Sequence, residues 1–525
     1  MTSTADLLMM SFEGTTPSNE VLDRIRVDPP AGFTLFRSDN VESIDQVGEL
    51  TAALHAANPR DLPLLIAIDQ EGGQFLALGP GSTYFPGNMA LGAIDDERLT
   101  REVARALGRE LRALGISINY APVADLNTNP RNPGLGTRSF GDRPGRAAAH
   151  VAAMVAGLQQ EGVAATLKHF PGKGEAQVDS HFVLPVVERD RDGLHERELV
   201  PFRAGLDAGA ALVMTGHFAI PGLTETDDLP STLSTAVLTD LLRGELGFDG
   251  SVITDALDMG AISQGVGQII DSIAAVRAGV DLLLLKDTPE GQARLEAGLA
   301  LAVKRRVIPA GRFEDAVARN QRLRKRFGFP GATDTGRVGS AEHRALADEV
   351  ARRSITLLRN DAGLLPLRPP ADARIAAIMP RPKDLTPADT SSSVTPGLAA
   401  ALRRHFPNVD EFILSHPPAP NEIADLRERA ESYAALVLGT ISASMDDAQV
   451  RLVDELVACG VPMITVALRT PYDLAAYPAS ETHLCTYSIL EPSMNALASI
   501  IFGAGQAEGR LPVSVSQELP AGFGL

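Results

Sequence analysis

Over the first 330 residues, short continuous apolar runs alternate with longer stretches whose apolar positions recur every three or four residues. The runs read as strands buried on both faces, as in a parallel sheet. They fall at 32–38 (GFTLFRS), 63–70 (PLLIAIDQ), 117–126 (SINYAPVADL), 164–170 (AATLKHF), 211–218 (ALVMTGHF), 251–256 (SVITDA) and 281–286 (DLLLLK), with a weaker eighth in DLLMMSF near the start. The intervening stretches carry the helical period. In 95–114, Leu99, Val103, Leu107, Leu111 and Leu114 share one face, Asp95 or Asp96 caps the start, and Gly115 ends the helix. Eight strands alternating with helices predict a TIM-type (β/α)8 barrel. A basic helix at 314–327 (EDAVARNQRLRKRF) closes it, its charges expected on a solvated face.

PGATDTGRVGS at 330–340 has linker composition. A helix at 341–355 and SITLLRN then lead into further short strands at 374–379, 410–415, 434–439, 462–468 and 483–488, separated by helical patterns. This second region predicts a smaller α/β/α sandwich. The expected organisation is a barrel domain over 1–330, a linker over 331–344 and a sandwich domain over 345–525.

Composition adds limits. The chain has 525 residues, more than one ordinary core holds, with 44% apolar and 22% charged residues, which are globular values. A net charge of −18 argues against nucleic acid and anionic membranes as partners and suits a small neutral substrate. Cys459 and Cys485 are far apart and lack metal-binding spacing, which excludes a disulfide framework and favours a reducing compartment. Cys485 reads as a buried filler. The start, MTSTADLLMMSFEG, has no secretory pattern, and no apolar run reaches the ~18–20 residues needed to span a bilayer. The expectation is a soluble cytoplasmic protein.

The candidate chemistry sits at strand ends. Asp69, Asp125, Lys168, His169, His217 and Asp255 fall at the carboxyl ends of five predicted strands, where barrel active sites are built. After His169, Phe170-Pro171-Gly172-Lys173-Gly174 breaks regular structure and leads to Asp179-Ser180-His181. A carboxylate two residues before a histidine can orient the imidazole for general acid/base work; alone, the pair reads also as a cap beside an exposed histidine. Asp255, ending a strand before a helix start, reads equally as an N-cap. No His-x-His or His-Glu-x-x-His pair supports a metal on His169, His181 and His217, and no cofactor is expected.

The run from Lys168 to Pro185, Lys-His-Phe-Pro-Gly-x-Gly-x-x-x-x-Asp-Ser-His-x-x-Leu-Pro, resembles glycoside hydrolase family 3, in its β-N-acetylglucosaminidase branch. IDQEGG at Asp69, GTRSFGD at Arg138, GFDGSVITDALDMGAI at Asp255, and RRSITLLRNDAGLLPL and EPSMNALASIIFGAGQAEGRLPVSV in the second half extend the likeness over the whole chain. The resemblance implies retaining, exo-acting hydrolysis of terminal N-acetylglucosamine from cell-wall or chitin fragments. In it Asp255 is the nucleophile, His181 the acid/base and Asp179 its partner. Asp69, Arg138, Lys168 and His169 contact the sugar; His217 is family-like, in binding or in structure. A phosphorylase using the same dyad and a sugar-binding protein with little turnover are the alternatives. A β-glucosidase of the family fits less well, because its acid/base usually comes from the second domain. Three positions depart from the pattern: Gln74 and Ala77 stand where the family has arginines, and Lys173 where it has a histidine. They point to a different substrate, such as one carrying an acidic muramyl group.

Overall fold

The computed structural model describes residues 3–224, 226–329 and 334–525. Eight short strands form one parallel sheet: β1 (Leu8–Met10), β2 (Gly32–Thr34), β3 (Leu65–Ile68), β4 (Ile118–Asn119), β5 (Ala164–Phe170), β6 (Leu212–Thr215), β7 (Ser251–Thr254) and β8 (Leu283–Leu284). From β1 to β7 each strand pairs with the next in chain order, and β8 pairs with β1. Between β7 and β8 the seam is closed by a bridge from Ile253 to Leu282 and by Thr254 N–H donating to Leu282 O at 3.0 Å. The sheet is thus the expected TIM-type barrel, and DLLMMSF supplies its first strand.

The strands read as continuous apolar runs because both faces are dry. Met9, Leu65, Ala67, Ile118, Leu212, Met214 and Ile253 fill the barrel interior. Their neighbours Leu8, Ile66, Ile68, Val213 and Val252 pack outward against the helices. That is the two-residue alternation of a strand, hidden in the sequence because neither side is polar.

Two expectations change. The strand predicted over 117–126 stops at Asn119, since Pro122 has no N–H to give the ladder; pairing returns only as a bridge between Val123 and Lys168. The closing helix, Ala310–Phe327, was expected to carry its charges in solvent, but Arg324 is buried at 1% exposure. Its guanidinium donates to Pro63 O (2.7 Å), Leu62 O (2.9 Å) and Asp6 Oδ1 (3.1 Å), plugging the closed end of the barrel. The helix predicted over 95–114 spans Glu97–Ala113, with Asp96 Oδ1 accepting from the N–H groups of Arg98 and Leu99.

Of the linker expected over 331–344, residues 331–333 lie outside the described residues, and a helix begins at Ala341. The second region holds a six-stranded sheet: β9 (Thr356–Asn360), β10 (Ile375–Pro380), β11 (Val409–Leu414), β12 (Ala435–Thr440), β13 (Met463–Ala467) and β14 (Thr482–Cys485). The order is β9-β14-β13-β12-β10-β11, with only β9 antiparallel to its neighbour. Helices Leu398–Arg403 and Glu491–Ile501 cover one face through a core of Ile375, Ala377, Val437 and Leu497. Helices Pro420–Arg429 and Asp447–Val457 cover the other, and that core is continuous with the outer shell of the barrel. The result is the expected α/β/α sandwich, with Cys485 buried in β14. Among the described residues, no helix is long and apolar enough to cross a membrane.

Candidate active site

The loop after β5 carries the acid/base candidates. Asp179 Oδ1 accepts from the His181 backbone N–H (3.0 Å) and meets His181 Nδ1 at 2.6 Å. With Nδ1 engaged, the outer nitrogen Nε2 is the one left to exchange protons. Burial alone would raise the Asp179 carboxyl, but the two bonds from His181 outweigh it and hold it at about 2. The Asp179 carboxylate is nearly closed off from solvent, whereas the imidazole keeps 25% of its surface open. The loop rests on the segment that follows β7: Gly260 N–H donates to His181 O (2.9 Å) and Ala261 N–H to Ser180 O (3.2 Å).

Asp255 follows β7. Its Oδ1 accepts from Ala256 N–H at 2.9 Å, and the next residues form turns rather than a helix. The helix beyond starts at Val266, so the N-cap alternative for Asp255 falls away. Burial opposes ionisation of Asp255, but Lys173 first, then His217 and His181, overcome it and keep the carboxyl below its ordinary range. In a barrel of eight strands, β3 and β7 stand opposite one another, so Asp69 at the end of β3 faces Asp255 across the mouth.

Asp69 belongs to a buried charge cluster. Lys168 Nζ lies 2.6 Å from Asp69 Oδ1 and 2.5 Å from Glu71 Oε1. Arg138 binds Glu71 in a two-pronged pair, Nε to Oε2 at 2.9 Å and Nη2 to Oε1 at 2.8 Å, while its Nη1 donates to Gly134 O. Burial pushes Asp69 up, as it would Glu71, but Arg138 and Lys168 bring Glu71 down to about 2. Glu71 was missed in the sequence. The signal was a charge count: two cations predicted at one site, Lys168 and Arg138, need more anion than Asp69 supplies.

His169 Nδ1 lies 2.7 Å from Asp125 Oδ2, and its Nε2 points to Asp255 Oδ2 at 3.8 Å. Burial, with Lys173 and Arg138 nearby, keeps this imidazole neutral well below the usual histidine range. Asp125 also accepts from the backbone N–H groups of His169 (3.2 Å) and Lys173 (2.8 Å), fixing where the loop leaves the strand. His217 joins Thr232 Oγ1 (2.8 Å) through Nδ1 and Ala256 O (3.2 Å) through Nε2, which ties β6 to the residue after Asp255.

The three departing positions divide. Lys173 is buried, and its charge acts on Asp255, Asp125 and Asp179. Gln74 lies under the second domain: its Oε1 accepts from Thr137 Oγ1 (2.7 Å) and Arg469 Nε (3.1 Å). Ala77 lines a cleft between the domains. The structure therefore gathers Asp69, Lys168, His169, His217, Arg138, Asp179, His181 and Asp255 at one barrel mouth. Among the described residues no group of three or more His, Cys, Asp or Glu side chains is arranged to hold a metal ion.

The fold and its two domains have counterparts among known proteins. Residues 3–323 match the family described as glycosyl hydrolase family 3 N terminal domain, and residues 355–521 its C-terminal domain. A curated relative from Pseudoalteromonas piscicida, "Beta-hexosaminidase A", is 31% identical over 96% of this chain and 92% of its own length. A "Beta-hexosaminidase" of Xylella fastidiosa (strain M23) is 38% identical over 53% of this chain and 83% of its own. The solved glycoside hydrolase family 3 β-N-acetylglucosaminidase from Paenibacillus sp. str. FPU-7 is 35% identical, with a TM-score of 0.92 over 98% of both chains.

Proposed function

The chain belongs to glycosyl hydrolase family 3, and from that premise we propose that it is a retaining β-N-acetylglucosaminidase acting on terminal N-acetylglucosamine of cell-wall or chitin fragments. One observation carries the reading. The Asp179–His181 pair is complete at 2.6 Å, and its loop is hydrogen-bonded to the segment that begins at Asp255, so acid/base and nucleophile share one wall of the site.

In this mechanism Asp255 attacks the anomeric carbon while His181 Nε2 protonates the departing glycosidic oxygen. The sugar is left as an ester of Asp255. His181, now neutral, takes a proton from water, the water oxygen attacks the same carbon, and Asp255 leaves as carboxylate. Asp179 keeps Nδ1–H engaged and stabilises the imidazolium. Asp69, Lys168, Arg138 and His169 hold the ring hydroxyls, with Glu71 keeping the two cations in place. His217 braces the backbone beside Asp255. The barrel over 1–330 carries this chemistry, and the sandwich over 345–525 is its supporting domain beyond the 331–344 linker. A cytoplasmic, peptidoglycan-recycling role fits the free thiols of Cys459 and Cys485.

Lys173 favours a second reading. A buried cation beside Asp255 loses a counter-charge when that carboxylate becomes an ester, which would favour an anionic acceptor such as phosphate over water. Nitrophenyl N-acetylglucosaminide hydrolysis, run with and without phosphate, separates the two: free N-acetylglucosamine marks the hydrolase, the 1-phosphate the phosphorylase. Asp255→Ala should abolish turnover. His181→Ala should lose substrates with poor leaving groups while sparing nitrophenyl glycosides. Absence of turnover by the unaltered protein would leave only a sugar-binding role.

A further inference from the structure

His181 stands on an excursion of the chain that is held at its two ends. Lys173 N–H donates to Asp125 Oδ1 (2.8 Å), and Asn132 Nδ2 donates to Lys173 O (2.9 Å) and Gly174 O (3.0 Å), so the chain leaves β5 along a fixed path. It returns where Val187 N–H donates to Ala219 O and Ala219 N–H to Pro185 O, both at 2.9 Å, on the segment after β6. The stretch between buries little: Val178, Phe182 and Val183 are all exposed. A segment with so few buried apolar contacts is held from outside rather than by its own packing.

Arg189 closes the neck of this excursion. Its Nη2 pairs with Glu175, 14 residues earlier in the chain. Its Nε lies 3.7 Å from Glu198 Oε1, just before the helix Leu199–Asp207. Glu198 is 1% exposed, and among the described residues neither of its carboxylate oxygens nor Arg189 Nε has a hydrogen-bond partner. The guanidinium thus stands between one acid of the loop and one acid of the helix layer. Gly172 brings the other side of the neck onto the same acid: a Cβ there would fall 2.9 Å from Glu198 Cβ, and its φ of +120° suits glycine. Compact loops with their ends drawn together in this way hold a shape that the free chain would lose to entropy.

We propose that Arg189 is a positioning residue for the acid/base. By holding Glu175 against the helix layer at Glu198 it keeps the neck closed, and with it the placement of His181 Nε2 at the leaving oxygen. The inference rests on the glycosidase reading above and adds to it a residue outside the Asp179–His181 pair. An ion pair that only stabilised the barrel would leave the chemistry of a folded protein unchanged, so the two roles predict different kinetics.

The test is a series of aryl β-N-acetylglucosaminides of differing leaving-group pKa, run on the full chain. General-acid help matters most where the leaving group is poor, so a displaced His181 steepens the fall of kcat/KM along the series. The Glu175 side chain is 28% exposed, which limits the effect of one pair. Glu175→Gln should lower kcat/KM for the phenyl glycoside ~3–10-fold and move that for the dinitrophenyl glycoside by less than ~twofold. Arg189→Gln should show the same signature, and Arg189→Lys, which keeps a cation for Glu175, should recover it. Combining Glu175→Gln with Arg189→Gln should cost no more than Arg189→Gln alone. Circular dichroism shows that each variant is folded; should Arg189→Gln not fold, the partly exposed Glu175→Gln decides alone. Equal loss along the whole series, or none, in folded Glu175→Gln overturns the brace while the glycosidase reading stands. An unaltered protein that cleaves no member of the series removes the glycosidase reading itself, and the brace with it.

Discussion

Replacing Lys173 by methionine removes one positive charge from the middle of the site while keeping a side chain of similar length. Lys173 is buried, and among the described residues its ammonium forms no ion pair within 4.0 Å, so it acts on its neighbours through space. Burial, then Arg138, lower its own pKa, while Asp255, Asp125 and Asp179 support its charge. Asp255 depends on it in turn: Lys173 is the first of the charges that overcome the burial of that carboxyl. At the separations found within one active site and an effective dielectric of ~20, a unit charge contributes on the order of 1–3 kcal/mol. Loss of the cation therefore raises the Asp255 pKa. Since the proposed mechanism needs Asp255 ionised, the acid limb of kcat/KM moves to higher pH. The assay is the pH profile of nitrophenyl N-acetylglucosaminide hydrolysis for wild type, Lys173→Met and Lys173→Arg, with circular dichroism to show that each is folded. Arginine keeps the charge and should restore the acid limb. A folded Lys173→Met protein whose acid limb superposes on that of wild type would refute the argument.

Three further outcomes concern stability. Arg324→Met leaves the Pro63 carbonyl without its donor in a buried site, though Leu62 O keeps Asn58 Nδ2 at 3.0 Å and Asp6 keeps Arg60 at 2.9 Å; denaturant unfolding should show a loss of ~2–4 kcal/mol, and a loss below ~1 kcal/mol would contradict the burial of that guanidinium. Asp473 is fully buried, and burial raises its carboxyl from 3.8 to about 6. A folded pKa above the unfolded one means that the protonated group's contribution is complete below pH ~4 and lost as pH rises through ~6, up to ~3 kcal/mol. Asp473→Asn, which mimics the protonated acid, should therefore gain on wild type in melting temperature between pH 4 and pH 7; a gap independent of pH would count against this. Arg469→Ala strands the buried carboxylate of Asp389, its partner at 2.7 Å, and should cost ~3–5 kcal/mol by denaturant unfolding of the full chain.

What could be read from the sequence was what is local. Barrel and sandwich strands announce themselves because a strand dry on both faces is apolar at every position, and the ends of those strands place Asp69, Lys168, His169, His217 and Asp255 with no knowledge of pairing. The Asp179–His181 pair spans two residues, so its geometry follows from the loop itself. The partnership of His169 with Asp125 spans 44 residues and that of Arg138 with Glu71 spans 67, and nothing in the local pattern distinguishes such a pair from two solvated charges. Arg324 misled for the same reason: on a helix rich in Arg and Lys, only the positions of Asp6, Leu62 and Pro63 single it out for burial. Turn chemistry set the remaining error at 117–126, where Pro122 ends a ladder that the apolar pattern would have continued.

The same distance limit explains Gln74. Read along the chain, it is an arginine lost from the sugar site. In the fold, an arginine comes back from the second domain: Arg469, after β13, reaches Gln74 Oε1 at 3.1 Å and Asp389 Oδ2 at 2.7 Å. Thr390 completes the joint, its N–H donating to Gln74 O (2.9 Å) and its Oγ1 accepting from Leu76 N–H (3.0 Å). The hairpin fixed by these bonds, Gln70–Gly72 with Phe75–Leu76, carries Glu71 and Phe75. Glu71 holds Arg138 and Lys168, and Lys168 holds Asp69, so the far end of the sugar site is positioned through contacts that begin in the sandwich. A glutamine suits that joint better than an arginine would: a second guanidinium facing Arg469 in a buried interface would set like charges together. With Gln74 in place, the cation at this joint is supplied by the second domain, which makes the sandwich part of what shapes the proposed sugar site.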